Sequence, residues 1–112
     1  MDVPKHHCPG CGTELAYFAR YPWYFCEPCL KTATDRKGRT LVFGNAAMSG
    51  GISWYYAGDK ESGEDDCGAV GCIIRGREVL VTEARFGGIV AQPVNREMLS
   101  DKLRRRGTNL TS

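Results

Sequence analysis

The sequence predicts a small, mostly-β protein: a cysteine-clasped N-terminal segment joined to an antiparallel sheet, with a short C-terminal helix. Three observations lead there. Two Cys-x-x-Cys pairs fall within the first 29 residues, short aromatic and β-branched runs recur between glycine-rich turns, and a helix-start signal, Asn95 after Pro93, comes late in the chain. Fourteen glycines in 112 residues favour many turns over long helix. The length suits about one domain, with one modest core or a metal-held module beside a small sheet.

The first pair, Cys8-Pro-Gly-Cys11-Gly12, sets two thiols two residues apart on a tight turn, where glycine lets the backbone fold its amides toward sulfur. Cys26-Glu-Pro-Cys29 repeats the spacing. Between them, Thr13 to Arg20 is apolar and aromatic enough for a strand, Tyr21-Pro22 breaks it, and Trp23 to Phe25 returns toward the second pair. Such a hairpin would gather Cys8, Cys11, Cys26 and Cys29 at one end. The two motifs, C-P-G-C-G and C-E-P-C, resemble a zinc ribbon over about the first third of the chain, with Leu30 where a glycine often follows the second knuckle. The resemblance implies a structural Zn²⁺ and carries no activity, since ribbons serve as nucleic-acid modules, protein adapters and plain staples. Four protein thiolates would close the coordination shell, whereas a catalytic zinc keeps one position open. The same ligands suit iron, so a rubredoxin-like electron carrier is a second alternative. His6 and His7 are expected to be exposed or to sit beside the thiolates as supporting groups.

Beyond the second pair, the polar turn at residues 35–39 leads into a strand from Thr40 to Phe43, and residues 44–51 read as a loop. Ile52 to Tyr56 is the next expected strand. From Gly58 to Gly71 the chain turns glycine-rich and acidic, which predicts a long mobile loop. Cys72 to Ile74 and Glu78 to Thr82 form a hairpin about Arg75-Gly76, and Ile89 to Ala91 supplies one further strand. Asn95 then caps a helix whose Met98, Leu99 and Leu103 share a face, with arginines at its C-terminal end and Gly107 as its stop. The organisation expected is therefore 1–34 as zinc ribbon, 35–94 as a small antiparallel β region packed with the ribbon, and 95–112 as short helix and basic tail. The Arg85 to Gly88 stretch, Arg-Phe-Gly-Gly, adds a similarity to small bacterial zinc-ribbon proteins of undefined role that end in a hairpin and such a stretch.

The formal charge of +2 counts each cysteine as neutral. Four thiolates around one divalent metal would contribute about −2 and bring the chain near neutrality, so net charge does not argue for nucleic acid. No apolar stretch approaches the roughly 20 residues of a membrane span, and no export signal is visible; a reducing, cytoplasmic setting is the expectation. Ser49 lacks a nucleophile-elbow context and no phosphate loop is present, so an enzyme is not expected. Cys67 and Cys72 are spaced too loosely for a knuckle, and Asp65 and Asp66 disfavour a thiolate at Cys67, which reads as a loop thiol beside a buried Cys72.

Partner-binding candidates are Trp54, Arg85, Phe86, Arg104, Arg105 and Arg106. The consecutive Trp54, Tyr55 and Tyr56 cannot all face one side of a strand, Phe86 offers an aromatic face beside a cation, and the arginine run could grip phosphate or an acidic partner. The function expected is that of a noncatalytic, zinc-stabilised binding or adapter protein whose partner is a protein; nucleic acid is the alternative partner.

Overall fold

The computed structural model describes residues 5–16, 23–45, 51–83, 88–95, 97–99, 103 and 107–111. It is mostly β. Strands β1 (Lys5–His7) and β2 (Glu14–Ala16) form a two-stranded sheet and are followed by one helical turn, α1 (Glu27–Leu30). Strands β3 (Leu41–Asn45), β4 (Ile52–Tyr56) and β5 (Asp59–Cys67) make a three-stranded sheet in that order. Strands β6 (Ala69–Ile74), β7 (Arg77–Glu83), β8 (Ile89–Pro93) and β9 (Gly107–Asn109) make a four-stranded sheet ordered β8-β7-β6-β9. Residues 97–99 are helical. No helix among the described residues is long and apolar enough to cross a membrane.

Alternation explains the four-stranded sheet. Val70, Cys72 and Ile74 of β6, with Val79 and Val81 of β7, join the main core. The intervening Ala69 and Leu80 face the other way, onto Leu99, Val94 and Leu103. Gly71 permits that second contact, because a Cβ there would lie 2.8 Å from Leu99 Cδ1 and 2.9 Å from Leu103 Cδ1. The hairpin turn sits at Arg75 and Gly76, both at positive φ, as a two-residue connection requires. Thr34 ties the sheets together, bridging Thr40 on one side and Ile73 on the other.

The acidic stretch after Gly58 is not a loop but an outer strand. β5 pairs with β4 through irregular register, with shifts on both sides of Trp54. Its polar composition fits a strand with a neighbour on one side only among the described residues, where charge also discourages pairing with other chains. Gly63 is required here: its φ is +81°, and a Cβ would sit 1.9 Å from the Trp54 carbonyl oxygen. Cys67, expected as a loop thiol, is 1% exposed, with Sγ against the Ala69 carbonyl oxygen at 3.0 Å.

Two further differences concern the ends of the chain. The first cysteine pair lies in the turn between β1 and β2, which pair with each other, while residues 17–22 of the hairpin expected between the two cysteine pairs lie outside the described residues. Gly107 opens β9, which runs parallel to β6 from Ala69 to Gly71 in a sheet otherwise antiparallel. At residue 95, the Asn95 side-chain oxygen accepts the Met98 N–H at 2.8 Å, and Leu99 N–H bonds the Asn95 carbonyl.

Candidate metal centre

The clasp begins with two short structures that each point sulfur inward. In the first, Cys8 N–H donates to the Thr13 carbonyl at 2.8 Å and Gly12, at φ +80°, returns its N–H to the Cys8 carbonyl at 2.9 Å. That closed turn places Cys8 Sγ within reach of the Gly10 N–H (3.4 Å) and, across the chain, the Cys26 N–H (3.3 Å). In the second, Cys26 sits in extended conformation at the start of α1, Pro28 occupies an early helical position where its missing N–H costs nothing, and Cys29 faces inward. Gly10 has to be small, because a Cβ there would lie 2.9 Å from Cys29 Sγ.

The result is four sulfur atoms within 4.8 Å of one another, from Cys8, Cys11, Cys26 and Cys29. Cys11 and Cys26 Sγ are 3.5 Å apart. Tetrahedral thiolates bound at about 2.3 Å stand roughly 3.8 Å from each other, so the cluster has the size of a four-sulfur metal site. Cys8, Cys26 and Cys29 are buried and Cys11 is exposed. Among the described residues this is the one group of three or more such side chains that could hold a metal ion. Cys67 and Cys72 are separate from it and buried in the sheets.

The thiols differ in acidity for identifiable reasons. Thr13, whose hydroxyl is 3.0 Å from Cys11 Sγ, leads in bringing that thiol down to about 6, supported by its own N–H. Burial alone would raise Cys8, but the N–H groups of Cys26, Cys11 and Gly10 outweigh it and hold Cys8 below the ordinary thiol value. Burial pushes Cys26 up to about 12 and also raises Cys29. A cation would reverse this for the buried pair, since a coordinating thiol is deprotonated outright.

The two histidines divide. His7 is exposed. His6 is 5% exposed, 2.9 Å through Nε2 from the Tyr24 carbonyl, and edge-on to the rings of Tyr24 (4.5 Å) and Trp23 (6.0 Å). It packs the strand beside the knuckle, outside the four-sulfur cluster. Trp23 itself is 59% exposed at φ 62°.

Of the residues named as partner-binding candidates, Trp54 lies in the core, 6% exposed, with its indole N–H donating to Glu64 at 3.1 Å and its ring edge-on to Tyr56 at 5.4 Å. Little of its surface is left for a partner. Arg85, Phe86, Arg104, Arg105 and Arg106 lie outside the described residues. An open groove of about 780 Å³, which sequence reasoning missed, runs between α1 and β3 and is walled by Tyr24, Phe25, Leu30, Leu41, Phe43 and Ile89. No local signal could have found it, because its walls come from three separate parts of the chain. Comparison with protein-family models, with curated proteins and with solved structures finds no match.

Proposed function

We propose that the protein is a noncatalytic binding module of a reducing, cytoplasmic setting, stapled at its N-terminal end by one structural Zn²⁺ on Cys8, Cys11, Cys26 and Cys29, and that its partner is a protein. The observation that carries the reading is the four-sulfur cluster of tetrahedral size with three of its members buried. Four thiolates leave no position for water or substrate, so the metal would supply folding energy, on the order of 10 kcal/mol at neutral pH. That is comparable to the whole net stability of a small domain.

The groove beside α1 supports a protein partner. Its walls are mostly apolar and aromatic, and β3 is the outer strand of its sheet on that side among the described residues. An extended peptide laid there could use the apolar walls and the main-chain edge beyond Leu41, whose own N–H is taken by the Ala33 carbonyl. The clasp shapes the groove, since Phe25 precedes Cys26 directly and Leu30 follows Cys29.

Selection of displayed peptides against the zinc-loaded protein tests this. Binders enriched in apolar and aromatic residues are expected, with affinity lost at least tenfold in Leu30→Arg and on chelation of the metal. Binders unaffected by either change, or none at all, would contradict the reading.

A further inference from the structure

A second feature lies on a different part of the molecule, where the two larger sheets meet. The polar turn at residues 35–39 carries three cations in five residues, and its shape is fixed from within. Asp35 accepts the N–H groups of Lys37 and Arg39 on Oδ1, both at 2.9 Å, while Gly38, at φ +87°, returns its N–H to the Asp35 carbonyl. Oδ2 accepts from Arg39 Nε at 2.8 Å and from the Tyr56 hydroxyl at 3.0 Å. The turn is also fastened to the residue that follows β9, the Arg36 N–H donating to the Leu110 carbonyl at 2.9 Å.

This bracing borders a small, open hollow of about 190 Å³ lined by Asp35, Arg36, Lys37, Arg39, Tyr56, Asn109 and Leu110. Its electrostatics are one-sided. Among the described residues Asp35 is the only acid in the lining, it is 5% exposed, and its charge is already matched by Arg39. All four of its contacts are with donors, which leaves it poorly placed to take a metal ion. Arg36 and Lys37 have no acidic partner among the described residues, whose ion pairs join Lys5 to Glu14, Lys31 to Glu27 and Arg39 to Asp35. Arg39 is held by Asp35 and by the Tyr56 hydroxyl, with its guanidinium carbon 4.2 Å from the centre of the Tyr56 ring. A guanidinium fixed in this way gives up less freedom on meeting an anion than a free one.

We infer that this hollow is a phosphate-binding site, in which Arg36 and Lys37 contact a phosphate group from the turn, Arg39 meets it as a pre-oriented planar donor, and Asp35 acts as the positioning residue that sets the turn and Arg39. The ligand chemistry is a phosphate, free or carried on a nucleic-acid strand. The site is independent of the clasp and of the apolar groove, with which it shares no lining residue.

The test is titration of the isotopically labelled, metal-loaded protein with inorganic phosphate, followed by amide chemical shifts, and a parallel titration with a short single-stranded oligonucleotide. Saturable shifts are expected at Arg36, Lys37, Gly38, Asn109 and Leu110. Arg36→Ala with Lys37→Ala should weaken binding by at least about tenfold, as expected for losing hydrogen bonds to a charged group. The same variant should retain its metal and its Tm, since both residues are exposed. Lys60→Ala, which removes an exposed cation outside the hollow, should leave binding unchanged. Tighter binding of the oligonucleotide than of free phosphate, weakening steeply with salt, assigns the strand as the source; equal affinity per phosphate assigns the free anion. Absence of saturable shifts, shifts spread over all basic residues, or equal binding by the Arg36 and Lys37 variant would overturn the site.

Discussion

The N-terminal clasp and the sheet body are held by different physics. Among the described residues from Lys5 to Leu30 the chain forms two strands of three residues and one turn of helix, and the buried apolar side chains there are chiefly cysteines and Phe25. From Leu41 to Asn109 the body buries Ile52, Val70, Ile74, Val79 and Val81 completely, on strands up to nine residues long. The described residues of the first segment bury less apolar surface against their conformational entropy than those of the second. On the proposed reading, a metal shared by the two Cys-x-x-Cys pairs would add the stabilisation that apolar burial among the described clasp residues does not supply. The two regions still touch, since the Phe25 N–H bonds the Ala91 carbonyl and the cysteines join the same core cluster as Ile52 and Ile74.

The largest expected effect comes from the clasp. Cys29→Ser removes a buried ligand, and metal loss should then cost up to about 10 kcal/mol of stabilisation in that region. Hydrogen exchange should report it as lost protection at β1, β2 and α1, with β6 and β7 keeping more of theirs; uniform loss over the whole chain would make the two regions one cooperative unit. Ile74→Ala is the converse experiment. It should cost about 2–5 kcal/mol by creating a cavity in the body while the protein still binds its metal. Denaturant unfolding and metal analysis on the same sample check both halves of that statement.

Asp35→Asn is a smaller perturbation at the seam between the sheets. Removing the charge weakens the contacts to Arg39 and Tyr56 and should cost about 1–3 kcal/mol. Its pH dependence has a definite sign. Burial alone would raise the Asp35 carboxyl, but the Arg39 N–H and guanidinium and the Tyr56 hydroxyl outweigh it and hold it below the ordinary carboxylate value. A depressed value in the folded state means stabilisation that is fully present above the unfolded value of about 3.9 and is lost as pH falls through the folded one. The acid limb of the stability curve should therefore be shallower in Asp35→Asn than in the parent. The smallest effect should be that of Lys5→Ala: its ion pair with Glu14 at 2.8 Å is solvent-exposed on both sides, so Tm should not change measurably.

Much of the architecture was legible because local signals and packing agreed. The strand at Ile52 to Tyr56 and the hairpin about Arg75 and Gly76 follow from aromatic and β-branched runs on either side of turn residues. The cysteine cluster was legible from spacing alone. What escaped depends on distant partners. β5 looks like a loop because its stability comes from β4, the bulge at Gly63 and the bond from Trp54 to Glu64, none of which its own composition announces. Gly107 reads as a helix stop, yet the strand it opens exists because β6 offers a parallel edge. Trp54 suggested an exposed aromatic, and the side that buries it is set by the pairing of β4 with both neighbours. The seam hollow could have been suspected from the Asp-Arg-Lys-Gly-Arg turn, where an aspartate commonly accepts the N–H two residues on. Its other walls, Tyr56 and Asn109, are set by the fold.

The central claim is that four cysteine sulfurs jointly hold one structural metal, and X-ray absorption on natively purified protein tests it most directly. The account predicts one zinc per chain with four sulfur neighbours at about 2.3 Å and no oxygen or nitrogen in the first shell. Metal-free protein with an intact N-terminal region, or a shell that includes oxygen or nitrogen, would contradict it.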